Sequence, residues 1–90
     1  MKFTTKLLTR LEDMLKRSGY RIRYERGAFS GGFCVLKQQR IIVLNKVFTL
    51  ESRINMLLDL LAGLELDEQH LDEDQRQLLS QVRQTKLNLQ

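Results

Sequence analysis

The chain has 90 residues, of which 42% are hydrophobic and 29% are charged, and it contains one cysteine and no proline. This length and composition predict one folded domain and exclude a disordered tail. The net charge of +4 is divided unevenly, with +8 in residues 1–46 and −4 in residues 47–90. Such a division indicates either an anionic partner or attraction between copies, or simply solvated faces with no partner.

Membrane and secretory classes are not favoured. No apolar run is longer than residues 41–44, which is far shorter than the ~20 residues that a transmembrane helix needs. Polar residues interrupt the first ten positions, so no secretory signal is expected. A single cysteine cannot form an internal disulfide. These features predict a cytoplasmic protein with a reduced thiol and no membrane contact.

The first predicted element is an amphipathic helix over residues 3–17. Its apolar positions are spaced by three and four and form one stripe. Thr4 or Thr5 is expected to cap its start, and Gly19 lies where a left-handed residue ends a helix.

Three strands are predicted next. Tyr20, Ile22 and Tyr24 alternate with charged residues, which indicates an antiparallel edge strand with one solvated face. Residues 33–36 and 41–44 are apolar and are joined by four polar residues, a pattern typical of a hairpin. Because residues 41–44 are apolar on both faces, we expect them in the middle of the sheet.

A glycine motif, Gly27, Gly31 and Gly32, lies between the first two strands. Adjacent glycines suit a tight bend or bulge. A phosphate-binding nest is the alternative, but a phosphate loop precedes a helix and here a strand is expected. The motif is therefore interpreted as structural.

Two helices are predicted in the second half. Thr49 opens the first, which runs to Gly63 and is apolar nearly all round, so that it is buried on several sides or contacts a second copy. An acidic connector, residues 65–74, leads to the last helix, for which Asp72 and Gln75 form a capping box.

The predicted fold is therefore α+β: an N-terminal helix, a three-stranded antiparallel sheet and two C-terminal helices packed on one sheet face. Residues 1–90 are expected to form a single domain, with a core over residues 3–84 and a frayed tail over residues 85–90.

No catalytic residue, metal site or cofactor is predicted. A thiolate and imidazole dyad of Cys34 and His70 needs hydrogen-bond contact, whereas a cysteine in an apolar strand is usually a small buried hydrophobe. One cysteine and one histidine leave a zinc site two ligands short. The acids of residues 65–74 lack the spacing and the glycine of a calcium loop.

Basic residues concentrate in the first strand and the hairpin. Arg21 and Arg23 share the solvated face, Arg26 follows, and Lys37 and Arg40 lie in the hairpin. Together they form a candidate surface for phosphates. The nearby aromatic residues occupy the alternate positions that are expected to face the core, so no platform for base stacking is expected on the charged face.

Over about residues 19–64 the chain resembles a group of small uncharacterised bacterial proteins, a resemblance that implies no activity. It rests on the pattern G-x-F-x-G-G-x-C, on IIVLNK at residues 41–46, and on the start of the next helix. The residues concerned are Gly27, Phe29, Gly31, Gly32, Cys34, Glu51, Arg53, Ile54 and Asn55.

The Asn-Lys pair before a helix that begins E-x-R-I also resembles the start of the active-site helix in minimal zinc-peptidase domains. Those domains carry H-E-x-x-H on that helix, whereas the corresponding turns here read MLLDLLAG, with Asp59 and no histidine. The resemblance implies a peptidase-like scaffold without the metal chemistry.

The expected function is that of a non-catalytic cytoplasmic interaction domain, which binds another protein or self-associates. Self-association would use the apolar surface of residues 49–63 or complementary charge. A nucleic-acid-binding module that uses the five basic residues is the alternative. A degenerate peptidase-like or thiol-based enzyme is the second alternative.

Overall fold

The computed structural model describes residues 2–26 and 33–88. Its elements are α1 (Thr5–Arg17), β1 (Arg21–Glu25), β2 (Phe33–Leu36), β3 (Ile41–Asn45), α2 (Leu50–Gly63), a short 3₁₀ helix (Glu68–His70) and α3 (Glu73–Asn88). Three α-helices and a three-stranded sheet confirm the predicted α+β class. None of the helices in the described ranges has the length and apolar character needed to cross a membrane.

Local sequence signals explain the limits of α1. The Thr4 hydroxyl accepts a hydrogen bond from the Leu7 N–H at 3.1 Å, which satisfies one of the free amides at the helix start. Gly19 follows the C-terminal cap with φ of 94°, a conformation that glycine adopts without steric cost. The predicted apolar stripe is buried, with Leu7, Leu8, Leu11, Met14 and Leu15 inside the domain.

The sheet is mixed, so the prediction of a fully antiparallel sheet is wrong. The strand order is β1-β3-β2, and β3 lies in the centre as expected. β2 is antiparallel to β3 through the predicted hairpin, but β1 runs parallel to β3, with Arg21 opposite Ile41 and Glu25 opposite Asn45. The alternating pattern of β1 indicated an edge strand with one charged face, and an edge strand has that pattern whichever direction it runs.

The glycine motif lies outside the described residues. Gly27, Gly31 and Gly32 all fall in residues 27–32, between β1 and β2.

The two helices of the second half also begin at the capping residues that the sequence predicts. Thr49 caps α2, and its hydroxyl accepts from the Ser52 N–H at 3.2 Å. Before α3, the Asp72 carboxylate accepts from the Gln75 N–H at 2.8 Å, and the Gln75 side chain accepts from the Asp72 N–H at 3.0 Å, which confirms the capping box. α3 runs from Glu73 to Asn88.

One hydrophobic cluster forms the core. It combines Ile42 and Leu44 of β3 with apolar residues from all three helices. Ile22, Tyr24 and Val35 are half-buried against the same cluster. Ile41 and Val43 are buried as well but lie outside it, as expected for alternate residues of a central strand.

Candidate functional site

The two edges of the sheet differ in chemistry. β1 carries Arg21, Arg23 and Glu25 on alternate positions, whereas β2 consists of four uncharged residues, FCVL. Leu36 of β2 is 41% exposed, which is high for a leucine in a strand. Within the described ranges, β2 pairs with β3 along one edge, and no described strand pairs with the other edge of β2. In the part of the chain that the structure describes, the outer edge of β2 therefore has no strand partner and no charged side chain of the kind that discourages further pairing.

α2 offers little apolar surface to a second copy. Its buried residues, Ile54, Leu57, Leu58, Leu60 and Leu61, belong to the core cluster of the same chain. Met56, Ala62 and Leu64 are half-buried against that cluster. Most of the apolar residues that the sequence shows on this helix therefore pack within the domain, where α2 contacts both α1 and α3.

A turn at the end of α1 places basic residues next to each other. The Ser18 hydroxyl donates to the Met14 carbonyl at 2.9 Å, and the Arg40 guanidinium donates to the Ser18 carbonyl at 3.0 Å. The Arg21 N–H donates to the Arg40 carbonyl at 2.8 Å. Arg40 itself has φ of 54°, which allows the tight turn between β2 and β3. These contacts join the end of α1 to the hairpin.

Two open hollows flank this turn and share Tyr20. The first is lined by Lys16, Arg21 and Arg23 together with Ile22 and Ile41, and the second by Lys37 and Arg40 together with Gln38, Gly63, Leu64 and Glu65. The Arg40 guanidinium carbon lies 5.0 Å from the centre of the half-buried Tyr20 ring. We call Lys16, Tyr20, Arg21, Lys37 and Arg40 the basic end of the sheet.

The structure brings together three of the five basic residues predicted for a phosphate surface. Arg21, Lys37 and Arg40 belong to the basic end. Arg23 lines the same hollow as Arg21 but forms a salt bridge with Glu25, which offsets its charge. Arg26 is exposed just beyond the other end of β1, about 16 Å from Arg21 along the direction of the strand.

Two residues of the basic end were not predicted from the sequence. Lys16 is one of the polar residues of α1. Its position two residues before the turn at Ser18 is the sequence feature that could have placed it in the basic end. Tyr20 occupies one of the alternate positions predicted to face the core, and it does pack against the core. It also lines both hollows. Tyr20 is half-buried and lies directly before β1, three residues after α1 ends.

Acidic residues border the basic end on one side. A third hollow is lined by Arg17, Arg40, Asp67 and His70, with Ser18 and Gly19. His70 Nε2 lies 3.6 Å from the Asp67 carboxylate. The second half of the chain therefore places part of its negative charge next to the cations of the first half.

A second polar cluster lies at the other end of β1. The Tyr24 hydroxyl donates to the Glu12 carboxylate, and Arg53 lies over the Tyr24 ring at 5.3 Å and donates to the Lys46 carbonyl at 2.6 Å. Burial, followed by the hydrogen bond and the negative charge of Glu12, raises the pKa of Tyr24 above its ordinary value of about 10. The phenol therefore stays protonated near neutral pH and cannot act as a base there, so the cluster joins α1, β1 and α2 structurally.

The residues considered for chemistry are dispersed. Cys34 is half-buried opposite Val43, whereas His70 lies beside Arg17 and Asp67. No group of three His, Cys, Asp or Glu side chains that could hold a metal ion occurs among residues 2–26 and 33–88. Asp59, on the helix compared with the peptidase helix, is exposed.

Comparisons with known proteins return no match to any protein family, curated protein or solved structure.

Proposed function

We propose that the chain is a non-catalytic interaction domain that self-associates by pairing β2 with β2 of a second copy. The proposal rests on one observation, the uncharged edge that β2 presents beside a central β3. On this proposal the three helices cover the sheet face that carries Ile42 and Leu44, and the β2 edge remains accessible for pairing.

A second copy is the partner that fits this edge most simply. Two identical strands pair antiparallel about a two-fold axis, and each then supplies the hydrogen bonds that the other lacks. No like charges meet in such a pair, because β2 has no charged residue. Pairing through β1 instead would bring copies of Arg23 towards each other in a symmetric register.

The association is expected to be weak. Pairing two four-residue strands adds about four backbone hydrogen bonds, each of which contributes about 1 kcal/mol net. So short an interface falls below the roughly 1,000 Å² that stable complexes bury. We therefore expect a monomer and dimer in concentration-dependent equilibrium.

The test places a charge on the proposed edge. Leu36→Lys should shift the average mass to that of one chain at concentrations where the wild type approaches two chains, because a lysine on an edge strand disfavours pairing. Val47→Lys is the matched control, since Val47 is 63% exposed in the turn after β3 and lies outside the sheet. Light scattering after gel filtration, over a range of concentrations, measures both.

The single cysteine gives a second measurement. Cys34 lies in β2, so a short bismaleimide should link two copies in the wild type and in Val47→Lys but not in Leu36→Lys. A wild type that remains one chain at all concentrations contradicts the proposal. A dimer that persists unchanged in Leu36→Lys contradicts the assignment to β2.

A further inference from the structure

We propose that the basic end of the sheet binds single-stranded nucleic acid. In this proposal Arg40 and Tyr20 form a platform on which a base stacks, and Lys16 and Arg21 contact the phosphates on one side of it. The proposal is independent of self-association, because it uses the turns at the start of β1 and β3 and not the edge of β2.

The cations of the basic end are available to an anion. None of the four salt bridges between described residues involves Lys16, Arg21, Lys37 or Arg40. All four side chains are exposed. Phosphates that approach them release counterions, which favours binding and makes it dependent on salt.

The stacking platform is held in place before a ligand arrives. The Arg40 guanidinium is fixed by its hydrogen bond to the Ser18 carbonyl and by its position 5.0 Å from the centre of the Tyr20 ring. Nucleic acid bases stack on both aromatic rings and guanidinium planes. Because the pair is already ordered, little side-chain entropy is lost on binding. The structure thus supplies the aromatic element that the sequence pattern did not predict.

Stacking on this pair favours single strands over duplexes. A base in a duplex is covered on both faces by its neighbours, whereas a base in a single strand can turn one face to the protein. Tyr20 lines both hollows, with Lys16 and Arg21 in one and Lys37 in the other. A strand that crosses the platform would therefore meet cations on both sides.

The experiment measures binding of fluorescently labelled oligouridine, oligothymidine and a duplex of the same length by anisotropy, from about 50 mM salt upwards. The wild type should bind both single strands more tightly than the duplex, and the logarithm of its affinity should fall linearly with the logarithm of salt.

Two variants separate stacking from charge. Tyr20→Leu keeps an apolar side chain against the core and should weaken binding about tenfold with the salt slope unchanged. Arg21→Gln should weaken binding and reduce the salt slope by about 0.7, the value for one phosphate contact on a single strand. Arg10→Gln removes the same charge from the exposed side of α1, nine residues before Gly19, and should change the affinity much less.

Circular dichroism first establishes that each variant is folded. If Tyr20→Leu is not folded, the comparison of Arg21→Gln with Arg10→Gln still decides whether binding takes place at the basic end. Absence of binding at about 50 mM salt overturns the proposal. Equal losses in Arg21→Gln and Arg10→Gln overturn it too, because they indicate diffuse attraction by net charge. Equal affinity for duplex and single strand overturns the stacking role of the Arg40 and Tyr20 pair.

Discussion

Two tyrosine and arginine pairs lie at opposite ends of β1 and share one kind of contact. Arg40 lies 5.0 Å from the centre of the Tyr20 ring, and Arg53 lies 5.3 Å from that of Tyr24. At the Tyr24 end, Glu12 accepts a hydrogen bond from the phenol. At the Tyr20 end, the two open hollows are lined by further cations and by the acid Glu65.

We infer from this difference that a carboxylate bonded to the tyrosine hydroxyl favours a structural role for such a pair. At the Tyr24 end, Glu12 accepts the hydrogen bond of the phenol and Arg53 covers its ring, so the cluster joins three elements. Around Tyr20, positive charge is left in excess and can attract an external anion. The same contact therefore favours stability at one end of β1 and, in our proposal, recognition at the other.

The largest expected effect comes from breaking the Tyr24 pair. Arg53→Met removes a charged hydrogen bond to the Lys46 carbonyl and a cation–π contact. Against this, the buried Arg53 Nε has no hydrogen-bond partner within the described part of the chain, and the substitution relieves that cost. We expect a net loss of about 2 kcal/mol in the free energy of unfolding, measured by urea denaturation.

The corresponding substitution at the Tyr20 end is expected to lower stability less. Arg40→Met should lower the free energy of unfolding by about 1 kcal/mol, because Arg40 is exposed and its hydrogen bond to Ser18 is partly replaced by water. A loss in Arg40→Met as large as in Arg53→Met would show that both pairs serve stability alike.

The Tyr24 end should also respond to pH. Because the pKa of Tyr24 is raised on folding, its stabilising effect is fully present below about pH 10, where the unfolded phenol is protonated, and is lost as pH rises further towards the folded pKa. Wild-type stability in urea should therefore fall more steeply above about pH 10 than that of Tyr24→Phe. Parallel curves for the two proteins would contradict the raised pKa.

The smallest expected effect comes from removing the negative charge of an acid at the Tyr20 end. Glu65 borders the hollow that contains Lys37 and Arg40, so Glu65→Gln should remove a repulsion and tighten oligonucleotide binding about twofold. Glu51→Gln serves as the control, because Glu51 is exposed in the first turn of α2, about 20 Å along the helix from Leu64. Equal changes in both variants would indicate that only net charge matters.

Signals within a few residues of each other were reliable in this chain. The Thr4 cap, the left-handed Gly19 and the Asp72 and Gln75 capping box all lie where the sequence predicts them. Each depends on hydrogen bonds or backbone angles between positions at most four apart, and the residue types alone specify them. The central position of β3 followed in the same way from its apolar residues on both faces.

Contacts between distant positions were not predictable in this way. The direction of β1 depends on how the chain crosses from one sheet edge to the other, and an alternating pattern reads the same in both directions. The proposed platform needs Arg40 beside Tyr20, twenty positions earlier, and the β2 edge becomes available only because β3 takes the centre. The sequence by itself determined the elements, their caps and their buried faces, because these depend on neighbouring residues. Tertiary structure alone decided strand direction, which cations meet and which tyrosine acquires an acidic partner, because those depend on packing between segments far apart in the chain.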